Sequence, residues 1–426
     1  YVGPSTELEE KLCNIFAEVL GLEKVGITDD FFRIGGDSIV SIQLSSRLRR
    51  NEIDCSVRDI FDYRTVSKLS NYLLSKSEVE VTIIKEEGIL EGEFGLLPIQ
   101  EWFFEKVNDG SFKAYNHWNQ SFLVKAPKLD ISKLDSIVES LVSHHDILRV
   151  NYVKQADGSY TQVYRSSMDI PKLRILDVSS LTQEEIENEL TTWQSDFDIE
   201  NGPLWSIGYL HGFNDGSSRL YFALHHLIVD AVSWRILIED FRSLYNEEEL
   251  STKGTSYRQY TDLVKEYSSK NKEQLGYWKN ILSNIPSYPE ISSKPSLGEV
   301  RLNKTQTESL LQRGNKVYHT EINDLLLVAL AYSLREINER DVQGITLEGH
   351  GREYIEEGVE LNSTVGWFTT MYPTLLEIKD DLSSTIKNIK ESLRSISDKG
   401  IGFGSFVKAK EFEFNQLPRV SFNYLG

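Results

Sequence analysis

The sequence predicts a small four-helix-type domain followed by a larger, two-lobed α/β domain. Three observations predict it. The first 75 or so of the 426 residues read as helices alone, by apolar spacing that opens on a capping signal. A polar, charged stretch then interrupts the pattern. Beyond it, strand-like and helix-like segments alternate, as they do in α/β chains.

The helical part occupies residues 1–75. Thr6 with Glu9 reads as a capping box. Leu8, Leu12, Ile15 and Val19 follow at helical spacing, and Gly21 stops the helix. A second helix opens at Ser38 with the stripe Val40, Leu44 and Leu48, widened by Ile39 and Ile42. A short third helix ends near Leu74. Residues 76–93 read as a linker, polar around Ser75-Lys-Ser-Glu and Lys85-Glu-Glu-Gly, with Val79 to Ile84 able to pair as a short strand. A first lobe is expected over 94–260 and a second over 261–426. Strands are expected where Trp118, Gln120, Phe122 and Val124 alternate with their neighbours, over Leu220 to His225, and ending in Ile345 and Leu347. Helices are expected over Leu134 to Leu148, along Trp234, Leu237, Ile238, Phe241 and Leu244, and over Ile322 to Leu334.

Composition narrows the function. The formal charge is −19 and the pI about 5.0, which argues against nucleic acid as a partner. No apolar run is long enough to span a membrane. Tyr1-Val-Gly-Pro-Ser is neither an initiator methionine nor a signal peptide, so the chain reads as a fragment of a longer polypeptide. Cys13 and Cys55 lie in apolar-periodic stretches and are expected as buried free thiols, which fits a cytoplasmic location. No Cys/His spacing suggests a metal site.

Gly35-Gly36-Asp37-Ser38-Ile39 puts a serine at the start of a helix behind two glycines. A helix N-terminus favours an anionic group, and Ser38 by itself reads equally as an N-cap. The longer string Asp29-Asp-Phe-Phe-Arg-Ile-Gly-Gly-Asp-Ser-Ile closely resembles the peptidyl carrier domains of non-ribosomal peptide synthetases. The resemblance implies a covalent 4′-phosphopantetheine on Ser38, whose thiol bears the substrate. Asp37 before the serine looks like the carrier subtype that precedes epimerisation domains.

His225-His226-Leu-Ile-Val-Asp230-Ala-Val-Ser233-Trp234 stands where a strand gives way to a helix. Adjacent strand residues point to opposite faces, so one histidine of the pair can face a cleft. Histidine suits acid/base work near neutral pH. The string resembles the HHxxxD signature of the condensation and epimerisation superfamily, which shares the fold of chloramphenicol acetyltransferase. The resemblance makes His226 the acid/base and leaves His225 packed on the other side. It pairs Asp230 with an arginine of the first lobe, here Arg149 in His145-Asp-Ile-Leu-Arg149. Ser233-Trp234 looks like the epimerisation branch, and Ala231 departs from the Gly the family often has.

Glu348-Gly-His-Gly-Arg-Glu353 follows a strand, and glycines on either side of His350 let the backbone approach a ligand. The string resembles the one that separates epimerisation from condensation domains. It implies Glu348 as the second catalytic residue, with His350 and Arg352 shaping the loop. Thr364-Val-Gly-Trp-Phe-Thr-Thr-Met-Tyr-Pro resembles a channel-lining segment. Phe422-Asn-Tyr-Leu-Gly426 resembles a late epimerisation motif and makes Asn423 and Tyr424 candidate polar contacts. The order of motifs is similar to that of the carrier–epimerisation pairs in gramicidin S and tyrocidine synthetases.

The activity so implied is inversion at the α-carbon of an aminoacyl or peptidyl thioester, with His226 and Glu348 on either side. Implied partners are an upstream adenylation domain in cis, a downstream condensation domain in cis or trans, and a phosphopantetheinyl transferase. The rival readings are a peptide-bond-forming condensation domain and an inactive docking module.

Overall fold

The computed structural model describes residues 1–75, 82–288 and 297–424. The strand expected over Val79 to Ile84 lies partly outside them, as do the last two residues of the late motif.

The N-terminal domain is four helices: α1 (Glu7–Leu20), α2 (Ser38–Arg50), α3 (Val57–Asp62) and α4 (Val66–Ser75). The short helix expected to end near Leu74 is α4, and α3 is a further helix before it. Tyr63 ends α3, and in the gap before α4 the Arg64 carbonyl accepts from the Phe31 N–H at 2.8 Å. Leu12, Phe16, Phe31, Leu44, Leu48, Ile60, Val66 and Leu69 close the core. Both cysteines are buried and free. Only half of the Thr6 capping box forms. Thr6 accepts from the Glu9 N–H at 3.2 Å, while the Glu9 carboxylate turns to Ser5.

The following α/β part runs β1 (Gly92–Phe94), α5 (Pro98–Asn108), β2 (Asn119–Ala126), α6 (Ile131–His144), β3 (Val150–Lys154), β4 (Tyr160–Tyr164), β5 (Arg174–Asp177), α7 (Gln183–Trp193), β6 (Trp205–His211), β7 (Ser218–His225), α8 (Ala231–Tyr245) and α9 (Tyr257–Lys270). It continues with α10 (Gln274–Ser283), the short α11 (Lys304–Glu308) and α12 (Asn315–Tyr318), α13 (Ile322–Asn338), β8 (Val342–Gly349), β9 (Thr370–Glu377), α14 (Leu382–Arg394), α15 (Ile401–Lys408) and β10 (Ser421–Phe422). The sheets are ordered β1-β4-β3, β2-β7-β6-β5 and β10-β8-β9.

The chain divides into two compact units. One comprises Tyr1–Glu80, Tyr267–Glu353 and Thr370–Gly426, the other Val81–Glu266 and Tyr354–Thr369. In the second unit, β7 is buried along almost its full length, so its residues read as an apolar run. Its antiparallel partner β2 sets Asn119 opposite His225 and Gln120 opposite Leu224. In the first unit, β8 is the central strand and is longer than the short strand expected. No helix is long and apolar enough to cross a membrane among the described residues.

Candidate functional site

β7 ends at His225, a 3-10 turn covers His226–Ile228, and α8 begins after its N-cap, Asp230. From Tyr221 to Asp230 every residue is buried except His226, which is partly exposed. That decides which histidine of the pair is open to solvent.

The His225 ring is fully buried. Its Nε2 donates to the Tyr115 carbonyl at 2.7 Å, and its Nδ1 accepts from the Leu227 N–H at 3.2 Å. Burial pushes its pKa down to about 4. Both nitrogens are engaged with backbone, so His225 holds the turn in shape.

His226 has the opposite arrangement. Its Nδ1 lies 3.0 Å from the Val229 carbonyl and its Nε2 3.0 Å from the Gln120 amide nitrogen. The ring sits between Trp118, stacked at 4.8 Å, and Trp367, also at 4.8 Å. Burial lowers its pKa, and the carbonyl bond and the Asp230 charge offset this only in part. The environment therefore favours the neutral imidazole, the form able to accept a proton. Trp367 comes from the Thr364–Pro373 string and belongs to the same unit as His226. The wall formed by Trp118 and Gln120 was hidden in sequence. Only the strand alternation around them was visible, and alternation does not say what a strand faces.

The Arg149–Asp230 pair expected from the motifs is replaced by other partners. Asp230 accepts from the N–H of Ser233 at 2.7 Å, capping α8, and from the N–H of Phe368 at 3.2 Å. Buried Arg149 pairs with Asp146 and donates to the carbonyls of Val142, Ser143 and Arg165. Arg149 lies three positions after Asp146, so a carboxylate is already at hand inside the same turn. Asp146 also accepts from Lys253 at 2.7 Å and from the Leu90 N–H at 3.0 Å.

In the other unit, Glu348 stands near the end of β8, opposite Met371 of β9. Its side chain reaches the surface, yet the surrounding protein raises its pKa by desolvation. Gly349 must be glycine, since a Cβ there would lie 2.7 Å from Thr370 Oγ1, and Gly351 takes the left-handed φ of 69°. Between them, His350 accepts from the Arg352 N–H at 3.0 Å on Nδ1 and meets Glu353 at 3.2 Å on Nε2. His350 thus ties its own loop together, and Arg352 is buried. β10 pairs parallel with β8, Phe422 beside Leu347, and leads Asn423 and Tyr424 past the strand end that carries Glu348. Burial raises the Tyr424 pKa, and the Asp37 carboxylate raises it further.

Asp37 is the N-cap of α2, accepting from Ile39 and Val40 at 2.8 and 2.7 Å. Ser38 is thus the first helical residue and not the cap. The N–H groups that were expected to greet an anion are already taken by Asp37. Gly36 packs so tightly that a Cβ would lie 2.4 Å from the Phe31 ring, which fixes the turn before the serine.

The condensation domain family matches residues 90–426, and the phosphopantetheine attachment site family matches residues 10–73. Gramicidin S synthase 1 of Brevibacillus brevis is 36% identical over all of this chain, which covers 40% of that protein. N-(5-amino-5-carboxypentanoyl)-L-cysteinyl-D-valine synthase of Amycolatopsis lactamdurans is 37% identical over the whole chain, which spans 12% of its length. Among solved structures, the epimerization domain from the third module of tyrocidine synthetase B is 33% identical, with a TM-score of 0.69 over 81% of this chain and 82% of that one. The condensation domain of the Monacolin K polyketide synthase shares the fold, with a TM-score of 0.62 at 15% identity over 77% of this chain and 78% of that one.

Proposed function

The chain belongs to the condensation domain family and carries a phosphopantetheine attachment-site domain, and from that premise we propose that it epimerises an aminoacyl or peptidyl thioester within a non-ribosomal peptide synthetase. The observation that carries this reading is Glu348-Gly-His-Gly-Arg-Glu353 at the end of β8, in a chain 33% identical to an epimerization domain. The D-valine in the name of a 37% identical synthase supports it too.

Covalent 4′-phosphopantetheine supplies the thiol on which the substrate is esterified, and Ser38 is the residue we assign to hold it. Sulfur donates poorly into a carbonyl, so the proton on the adjacent α-carbon is acidic. His226 Nε2 serves one face of that carbon and Glu348 the other. Their environments suit opposite states, since burial keeps His226 neutral and favours the protonated form of Glu348. As one group removes the proton, negative charge moves onto the thioester oxygen. The other group then delivers a proton from the far side. Asn423 and Tyr424 are the polar groups assigned to receive the oxygen. The adenylation and condensation domains and the phosphopantetheinyl transferase named above are the partners this reading requires, in the cytoplasm.

The test is loading followed by chiral analysis. A phosphopantetheinyl transferase with an L-aminoacyl coenzyme A should add one acyl-pantetheine to the wild type and none to Ser38→Ala. The cleaved amino acid should then approach a mixture of both isomers. An acyl group that stays wholly L on a loaded wild-type chain sinks the epimerase reading and favours a condensation domain.

A further inference from the structure

We infer that Gln120 and Trp234 form a relay that holds the proton of His226 on Nδ1 and its lone pair on Nε2, which makes Gln120 a positioning residue for the base. The catalytic meaning of this relay rests on the function proposed above; its chemistry does not.

The argument uses only what each atom can do. The indole N–H of Trp234 is a donor and nothing else. It lies 2.8 Å from Gln120 Oε1, so the oxygen end of that amide is the end facing the indole. The nitrogen end then faces His226 Nε2 at 3.0 Å. An amide NH2 only donates, so Nε2 must accept, and it accepts with its lone pair. The far side of the ring agrees independently. Nδ1 lies 3.0 Å from the Val229 carbonyl, which only accepts, so Nδ1 carries the hydrogen. An imidazolium would set an N–H against the Gln120 N–H.

The fold holds the relay in place. Gln120 and Phe122 are two apart on β2 and share a face. The Trp234 ring, in the first turn of α8, packs edge-on against Phe122 at 4.4 Å, which aims its N–H at Gln120. The His226 backbone N–H bonds the Trp118 carbonyl at 2.9 Å, which keeps the histidine beside β2. The faces of the imidazole are covered by Trp118 and Trp367, neither titratable. The titratable groups near it are His225, which opposes a second positive charge, and Asp230, which favours one. The Gln120 donor adds to the side that favours the neutral base.

Nitrogen-15 NMR of the histidines in the full pantetheinylated chain tests this, with the His226 signals assigned by their loss in His226→Gln. The wild type should show a single neutral tautomer with hydrogen on Nδ1. Trp234→Phe keeps the packing on Phe122 but frees the Gln120 amide to turn. Its oxygen can then accept from a protonated Nε2, so the His226 titration should move to higher pH and the second tautomer should gain population. Gln120→Leu removes the donor and should move the titration the same way. In α-deuterium washout, both variants should lose kcat/KM on the acid side and recover toward the wild-type value as pH rises. A His226 titration and tautomer unchanged in both variants overturns the relay, as does a wild-type hydrogen on Nε2. A wild type that shows the tautomer and its response to Trp234→Phe, but no washout, leaves the relay standing and defeats the epimerase reading instead.

Discussion

Two histidines adjacent in sequence end up with opposite tautomers, because backbone groups claim different nitrogens. His225 gives its Nε2 hydrogen to Tyr115, and His226 gives its Nδ1 hydrogen to Val229. Only His226 keeps an Nε2 lone pair on a partly exposed ring. If His226 and Glu348 serve opposite faces of the α-carbon, removing either should stop inversion in both directions. It should not stop exchange on the face the survivor still serves. In deuterium oxide, His226→Ala and Glu348→Gln should each retain exchange without inversion for one isomer, and for opposite isomers. Mass and chirality time courses on both isomers check this. Residual exchange of the same isomer in both variants defeats the two-face assignment. Loss of a general base slows such steps by about a hundred- to ten-thousand-fold, which sets the sensitivity required.

At the level of elements, carboxylates decide how segments start and join. Asp37 and Asp230 each cap a helix, which leaves Ser38 at the first helical position of α2 and fixes the turn that carries His226. Asp146 does a different job. It is buried between Arg149, Lys253 and the Leu90 N–H, so it anchors the segment just before β1 to the turn after α6. Asp146→Ala strands a buried guanidinium and should lower stability by roughly 3–5 kcal/mol. Asp230→Ser keeps a capping oxygen for Ser233 but takes its acceptor away from the buried Phe368 N–H, and should lower it by about 1–3 kcal/mol. Urea unfolding of the two variants measures the difference. Equal losses would mean that Asp146 is not the anchor described.

Across the whole molecule, acid should act on the two units in opposite senses. In the unit that contains them, burial pushes His144 and His225 down to about 4. Each remains neutral when folded at a pH where the unfolded chain already takes up a proton. Their contribution is therefore fully present above about pH 6.5 and is lost as pH falls toward 4. For His225 the loss is about 3 kcal/mol over that window. In the other unit, burial raises Asp324 to about 6. That carboxyl penalises the fold above its folded pKa, and the penalty is relieved as pH falls from about 6 toward its ordinary value of 3.8. Hydrogen exchange read by peptide between pH 7 and 4.5 should show Val81–Glu266 opening first on acidification. Uniform opening of both units would contradict this.

Much of the fold lay open in the sequence because it depends on near neighbours. Periodicity, caps and glycine stops placed the helical domain and the α/β alternation, and short strings singled out Ser38, His226 and Glu348. Helix α3 went unread because its six residues are too few for a periodic stripe, whereas α4 stands where a helix ending near Leu74 was expected. What lay beyond local reading was which distant groups would meet. The motif order suggested Arg149 with Asp230, but Arg149 took Asp146, which the chain supplies three residues away, and Asp230 took the N–H of Phe368 from far downstream. Gln120 and Trp367 gave no sign of approaching His226, because a residue's spacing reports which face it shares and not what that face touches. The side-chain types that could do the chemistry were thus determined by sequence. The proton positions that would let them do it were decided by the tertiary structure, since a hydrogen on Nδ1 or Nε2 follows the carbonyl or amide that folding brings within 3.0 Å.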